Sequence, residues 1–305
     1  FDTNPLGIYH PSADPAGDCY FDLGHPINIT SESSKDRKTD IVIPCPGLDL
    51  DLRRSYNSKM IQNDGGLGPG WTHSYNWFLI DITNRTYRGV NGALWTVLSP
   101  GDDTLHWFQH TTDGAYLSPP GEDLCLTNSF GQWWLESPGR FRCYFNAAGH
   151  MEGMLDLVGN AVALSYTNWG ATQRLHKVEH GYNADLNLTF EYTNGMLIGV
   201  SSPSNNLAMS YTYNGVGCLA TAVRSIPGQT QTATYYYGPD GMSLTQEVNS
   251  AGDAFVYAFE YSTNGAGQVM SKPASTSVGT QDYYDVSLSY GAAGSGTGVS
   301  SFVRG

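Results

Sequence analysis

From Tyr144 to Tyr290 the chain repeats one phrase. An alternating run ends in tyrosine, a glycine-containing turn follows, and an apolar run leads to the next turn. The instances are Tyr144-Phe-Asn-Ala-Ala-Gly149, Tyr166-Thr-Asn-Trp-Gly170, Tyr192-Thr-Asn-Gly195, Tyr213-Asn-Gly215, Tyr237-Gly-Pro-Asp-Gly241, Tyr261-Ser-Thr-Asn-Gly265 and Tyr290-Gly-Ala-Ala-Gly294. Successive tyrosines lie 22, 26, 21, 24, 24 and 29 residues apart. Self-similarity at that period marks an array in which each unit buries its apolar face against its neighbours.

The residues of one unit say what it folds into. In Leu186-Asn-Leu-Thr-Phe-Glu-Tyr192 the apolar side chains fall on alternate positions, the period of a half-buried strand. Asn194-Gly195 follows, and an Asn-Gly pair suits a two-residue hairpin because both central residues of a type I′ turn need positive φ. Met196-Leu-Ile-Gly-Val200 starts the return strand, Ser202-Pro-Ser-Asn-Asn206 turns the chain again, and Leu207-Ala-Met-Ser-Tyr-Thr-Tyr213 alternates once more. Each unit is therefore two strands and two turns. No stretch sustains an apolar period of 3.6, so the chain is expected to be all-β, a coiled array of antiparallel hairpins with almost no helix.

The phrase resembles the YD repeat of the Rhs family, which includes teneurin shells and the cocoon-forming components of insecticidal Tc toxins. Here the Tyr-Asp pair is replaced by Tyr-Asn, Tyr-Thr or Tyr-Gly. Upstream, Leu52-Arg-Arg-Ser-Tyr-Asn-Ser58 and Leu67-Gly-Pro-Gly-Trp-Thr-His-Ser-Tyr75 are similar to the module that precedes Rhs arrays. Gly24-His-Pro-Ile-Asn-Ile-Thr30 sits where that module carries a glycine-asparagine-leucine strand. The resemblance spans roughly residues 17 to 290 and implies a long β-sheet coiled in a spiral, often around a hollow interior. Tyr56, Gly68, Gly70 and Trp71 are its structural markers: the two glycines are expected at positive φ, with Trp71 buried beneath the turn.

Three segments follow from these boundaries. Residues 1–40 form an irregular lead, 41–140 the Rhs-like module with tryptophans at 71, 77, 95, 107, 133 and 134, and 141–305 the array with a glycine-rich tail. Twenty tyrosines, seven tryptophans and eleven phenylalanines supply rings for cross-strand packing, a use far commoner for such a stripe than sugar binding.

Composition narrows the partners. Charged residues are 14% and the net charge is −13, which argues against nucleic acid or an anionic membrane surface as a partner. No apolar stretch reaches the length of a membrane span. Asn28, Asn84 and Asn187 head N-glycosylation sequons, which apply in a eukaryotic source, with Asn84 in a turn-like stretch and Asn187 on the outer side of a strand. Five cysteines contain no Cys-x-x-Cys. Cys19 with Cys45 and Cys125 with Cys143 are candidate disulfides of a secreted protein, isolated buried thiols being the equal alternative.

Little in the sequence points to chemistry. His106 and His110, like His176 and His180, are four apart, which in a strand separates them by about 13 Å, too far for one metal. Asp49 with Asp51 and Asp102 with Asp103 are the paired acids. No nucleophile elbow, Walker loop or zinc-protease motif is present, so the expectation is no enzyme, no catalytic residue, no metal and no cofactor. The favoured function is an extracellular structural β shell that associates with itself or a covering domain at its sheet edges. A cell-surface adhesion or glycan-binding module, and the encapsulating part of a polymorphic or Tc-like toxin, are the alternatives.

Overall fold

The computed structural model describes residues 33–58, 65–87, 90–102, 104–119, 121–170, 172–252 and 254–263, with strand segments 22–23, 27–28, 269–278, 286–290 and 299–304. The chain is all-β and every strand pairing is antiparallel. Among the described residues the one helical element is a 3-10 turn, Pro203–Asn205, closed by Asn206 at φ 51.

Three sheets follow in chain order. The first holds β1 (Asp22–Leu23), β2 (Ile27–Asn28), β3 (Ser33–Ile43), β4 (Leu50–Asn57) and β5 (Trp71–His73). The second holds β6 (Trp77–Tyr87), β7 (Val90–Pro100), β8 (His106–His110) and β9 (Tyr116–Leu117). The third is a run of sixteen strands in strict sequence order. It opens with β10 (Cys125–Ser129), β11 (Gln132–Ser137), β12 (Phe141–Phe145), β13 (Met151–Asp156), β14 (Ala161–Trp169) and β15 (Thr172–His180). It continues through β16 (Asn183–Thr193), β17 (Met196–Ser202), β18 (Leu207–Tyr213), β19 (Leu219–Ile226) and β20 (Gln229–Tyr237). It ends with β21 (Leu244–Val248), β22 (Ala254–Thr263), β23 (Val269–Val278), β24 (Val286–Tyr290) and β25 (Val299–Arg304). This sheet begins at Cys125, inside the segment assigned from sequence to the upstream module.

A β-bulge sets the phase of the repeat. The register slips by one residue immediately before Phe145, Tyr166, Tyr192, Tyr213, Tyr237 and Tyr290. Each slip leaves one residue of the return strand without a partner, such as Ile198 between Gly199 and Leu197, or Ala220 between Thr221 and Leu219. A bulge bends its strand and increases local twist, so one per hairpin gives the sheet a repeated turn. The first repeat therefore centres on Phe145, fully buried, rather than on Tyr144. The ring of Tyr144 instead lies over Gly153, where a Cβ would collide with it. At Tyr261 the slip comes earlier, between Ala258 and Phe259.

The residue opposite each of the first five bulge aromatics is an apolar core residue: Met151, Leu175, Leu197, Leu219 and Leu244. Behind most of these aromatics the turn is built by an Asx side chain. Asn146 Oδ1 accepts from the amides of Ala148 and His150, and Asn214 Oδ1 from those of Val216 and Cys218. Asp240 Oδ1 does the same for Met242 and Ser243. Short polar side chains that satisfy amides two to four residues on are what turns select for.

Candidate functional site

The first sheet packs on the long sheet, and the seam between them is where the sequence motif and the repeat meet. On β4 the inward row reads Leu50, Leu52, Arg54, Tyr56, all buried. Leu67, Trp71 and Tyr75 join the same core with the leucines opposite the bulges.

A chain of tyrosine hydroxyls runs along this seam. Tyr166 donates to the carbonyl of Met151 at 2.6 Å, Tyr213 to that of Leu197 at 2.5 Å and Tyr237 to that of Leu219 at 2.8 Å. Met151, Leu197 and Leu219 are the register partners of Phe145, Tyr192 and Tyr213. Each hydroxyl thus reaches the carbonyl opposite the preceding aromatic and pins one hairpin to the one before.

The Leu67-Gly-Pro-Gly-Trp71 loop engages three successive hairpins. The Gly66 carbonyl accepts from the Leu197 amide at 2.7 Å and from the Tyr213 hydroxyl at 3.1 Å. Gly68, at φ +86, abuts the Gly217 carbonyl so closely that a Cβ could not be placed there. Gly70, at φ +78, abuts the Tyr56 ring. Trp71 is fully buried, packs edge-on against Tyr235 at 5.0 Å, and donates from Nε1 to the Tyr237 hydroxyl at 3.0 Å. Tyr56 donates to the Met242 carbonyl at 2.9 Å and accepts from the Leu244 amide at 2.9 Å.

Two charged clusters lie in the seam. Arg54 donates from Nε and Nη2 to the two Asp40 oxygens at 2.5 and 2.9 Å, and from Nη1 to the Tyr235 hydroxyl at 3.1 Å. Tyr211 donates to Asp40 Oδ2 at 2.7 Å, and the guanidinium stands 5.3 Å from the Trp71 ring centroid. A buried guanidinium on a buried carboxylate is tolerated when the remaining polar atoms are bonded and rings face the cation. Asp40 fits because β3 bulges between Thr39 and Ile41, letting Asp40 and Ile41 both point inward. The second cluster sets Lys38 Nζ 3.3 Å from Asp36 and 2.7 Å from Glu247, above the Phe255 ring. Burial and the neighbouring Asp36 push the Glu247 carboxyl up to about 7, against the pull of Lys38.

Other predicted residues take separate places. His106 Nδ1 contacts Glu122 at 2.6 Å, while His110 Nε2 meets Thr96 Oγ1, which donates to Asp81 at 2.6 Å. His176 is exposed at the bulge opposite Tyr166, whereas His180 is buried and donates to the Pro46 carbonyl at 3.1 Å. Among the described residues no three His, Cys, Asp or Glu side chains gather where one ion could be held. Asp49 accepts from the Cys45 amide, Asp51 pairs with Arg53, and Asp102 accepts from the Thr104 amide; Asp103 lies outside the described residues.

The disulfide expectation for Cys125 and Cys143 is corrected. Both are free thiols on strands separated by β11, and they stand beside Glu136 and Leu135, on opposite faces. Two strand spacings are about 9.6 Å, beyond the reach of a disulfide. Cys45 is also a free thiol, donating to the Ile43 carbonyl at 3.2 Å; Cys19 lies outside the described residues. Asn84 stands within β6 rather than a turn, Asn28 lies in β2, and the side chains of both are outside the described residues. Asn187 is on β16, out of phase with buried Leu188, with Nδ2 donating to the Ala184 carbonyl.

The family model described as domain of unknown function DUF6531, associated with Rhs- and WapA-type proteins, matches residues 24–96. That stretch is most of the first sheet with the Leu67–Trp71 loop, and it runs on into β7. Over 130 residues the chain is 29% identical to the tRNA nuclease WapA of Bacillus subtilis strain 168. It is equally similar to the tRNA3(Ser)-specific nuclease WapA of Bacillus spizizenii. In each case the match covers 42% of this chain and 5% of the relative's length. Those names correct the expectation that no enzyme is involved: the curated relatives are nucleases.

Among solved structures, a porin-like protein from Bacteroides uniformis aligns over 72% of this chain and 91% of its own. Its identity is 10% and its TM-score 0.27. The Tc holotoxin pore of Photorhabdus luminescens aligns over 91% of this chain and 17% of its own, at 12% identity and a TM-score of 0.29. Neither structural likeness bears on fold or function at those scores. The family match and the WapA similarity fit an Rhs-like protein. No described helix is long and apolar enough to cross a membrane.

Proposed function

We propose that this chain is a wall-and-plug segment of an Rhs-like, toxin-type protein that is secreted or displayed at the cell surface. In this role the bulged hairpins are the wall, and the segment 24–96 is a plug seated on their inner face. The natural polypeptide is proposed to act as a nuclease on tRNA, as its WapA relatives are named to do. The toxin role thereby takes precedence over the purely structural scaffold expected from the repeat and the lack of catalytic motifs.

One observation carries the proposal: the loop inside the family match touches three successive repeats, at Leu197, Gly217 and Tyr237. A module built to sit on the repeats belongs with them as one body. The test uses the natural full-length polypeptide. Protease should leave a resistant body containing residues 33–263, and the polypeptide, intact or protease-opened, should cleave total tRNA. Digestion of this region as fast as an unfolded control would remove the wall-and-plug role, and absence of tRNA cleavage in both states would remove the nuclease.

A further inference from the structure

The Lys38 cluster joins the plug to the wall with unequal charges. Asp36 and Lys38 lie on β3, and Glu247 lies on β21. The Asp36 and Glu247 side chains are nearly fully buried, and Lys38 keeps about a quarter of its exposure. Two carboxylates thus face one ammonium away from water, and Asp36 Oδ2 has no hydrogen-bond partner.

Among the described residues, neighbouring side chains do not balance the surplus. Phe255 on β22 offers a ring to Lys38 and no charge. Tyr235 on β20 faces the two acids with a phenol that burial, first of all, pushes upward, so it stays neutral. Arg54 on β4 lies beyond Tyr235 and is already matched by Asp40. An uncompensated buried charge is costly, and a carboxyl in that position takes up a proton to remove it.

We propose that Asp36, Lys38 and Glu247 form a protonation-controlled latch between plug and wall, closed when Glu247 holds a proton and released when both carboxylates are ionised. In the closed state Lys38 neutralises Asp36, and the neutral Glu247 carboxyl can donate a hydrogen bond to its neighbour. Loss of that proton to water leaves one unmatched negative charge in the seam, and separating β3 from β21 admits the water that solvates it. The seam loosens as pH rises and tightens as it falls. Near neutrality the carboxyl is poised between the two, since its ordinary value of 4.5 is raised to about 7. This regulation rests on the wall-and-plug role for its meaning, while the experiment reads only the seam.

Hydrogen exchange followed by mass spectrometry, corrected for intrinsic rates, should compare peptides over Ser33–Ile43 and Leu244–Val248 at pH 5.5 and 8.5. Wild type should lose roughly thirtyfold in protection at the higher pH, the equivalent of the one and a half pH units between 5.5 and the raised value near 7. Peptides over Gln132–Ser137, far along the long sheet from β21, should change little. Glu247→Gln and Asp36→Asn should each stay protected at both values. Equal wild-type protection at the two pH values overturns the latch, whether or not either variant folds. An undiminished loss in a folded Glu247→Gln protein overturns it too. Failure of this test leaves the protease and tRNA results untouched, so the two proposals fail separately.

Discussion

The Tyr213 hydroxyl bonds the carbonyl of Leu197, and Leu197 is the residue that faces Tyr192 across the sheet. One atom therefore ties the third hairpin aromatic to the fourth, and its second contact, the Gly66 carbonyl, ties both to the segment between β4 and β5. The repeat is held by side-chain links to backbone as well as by its ladder.

Removing that atom is the first test. Tyr213→Phe removes the one proton that the Leu197 carbonyl accepts and the Gly66 carbonyl shares, and should cost about 1–3 kcal/mol. Tyr236→Phe, at a half-exposed ring, should stay within about 0.5 kcal/mol. Urea unfolding of the two variants checks the difference; equal costs would deny the hydroxyl chain a structural part.

Gly68 and Gly114 have the same backbone sign, φ +86 and +84, but different surroundings. Gly114→Ala meets open space and should cost only the left-handed penalty, about 1–2 kcal/mol. Gly68→Ala also drives a methyl into the Gly217 carbonyl and should cost clearly more. Thermal melting of both decides whether close approach or conformation selects the glycine.

Trp71→Ala should cost about 3–5 kcal/mol as a large core deletion. Trp71→Phe keeps much of the ring but loses the bond to the Tyr237 hydroxyl, and should fall between that value and zero. A Trp71→Ala protein as stable as wild type in urea would place the loop outside the folding unit.

Arg54→Met strands Asp40 among rings and should cost about 3–5 kcal/mol. Adding Asp40→Asn should recover part of the loss, because the stranded charge goes with it. A double-mutant cycle from denaturant midpoints measures the coupling.

His73 and Glu247 give opposite pH slopes. Burial lowers His73 from 6.5 to about 4, so the unfolded chain binds more protons between those values and stability is lost on acidification through that window. Two and a half units amount to roughly 3 kcal/mol at full effect. Glu247, raised from 4.5 to about 7, does the reverse and adds stability as pH falls through its window. In His73→Phe the acid-side loss should shrink, leaving the Glu247 slope visible in unfolding curves taken from pH 7.5 to 4.5. An unchanged acid limb in that variant rules out His73 as its source.

The strands and the Asn194-Gly195 turn were legible because alternation and positive φ are local properties. The loop glycines and Trp71 were legible as a motif, but what they touch was not. Bulges escaped notice because a one-residue slip belongs to two strands at once, and neither sequence alone displays it. For that reason Tyr144 looked in phase when Phe145 is. Arg54 did leave a trace: it falls on the same alternate positions as Leu50, Leu52 and Tyr56, where an apolar residue is expected. Its partner Asp40 was hidden by the bulge that displaces it from the phase of Ile41 and Ile43. Cys125 and Cys143 misled because nearness along the chain ignores the strand that runs between them.

The direction of the tyrosine links restricts how such an array can change over time. Each hydroxyl looks backward to the hairpin before it, so a duplicated or deleted pair of strands still finds a carbonyl waiting at the junction. A single strand gained or lost would reverse the path and strand every later ring on the wrong side. Length in this architecture can therefore drift only in whole hairpins.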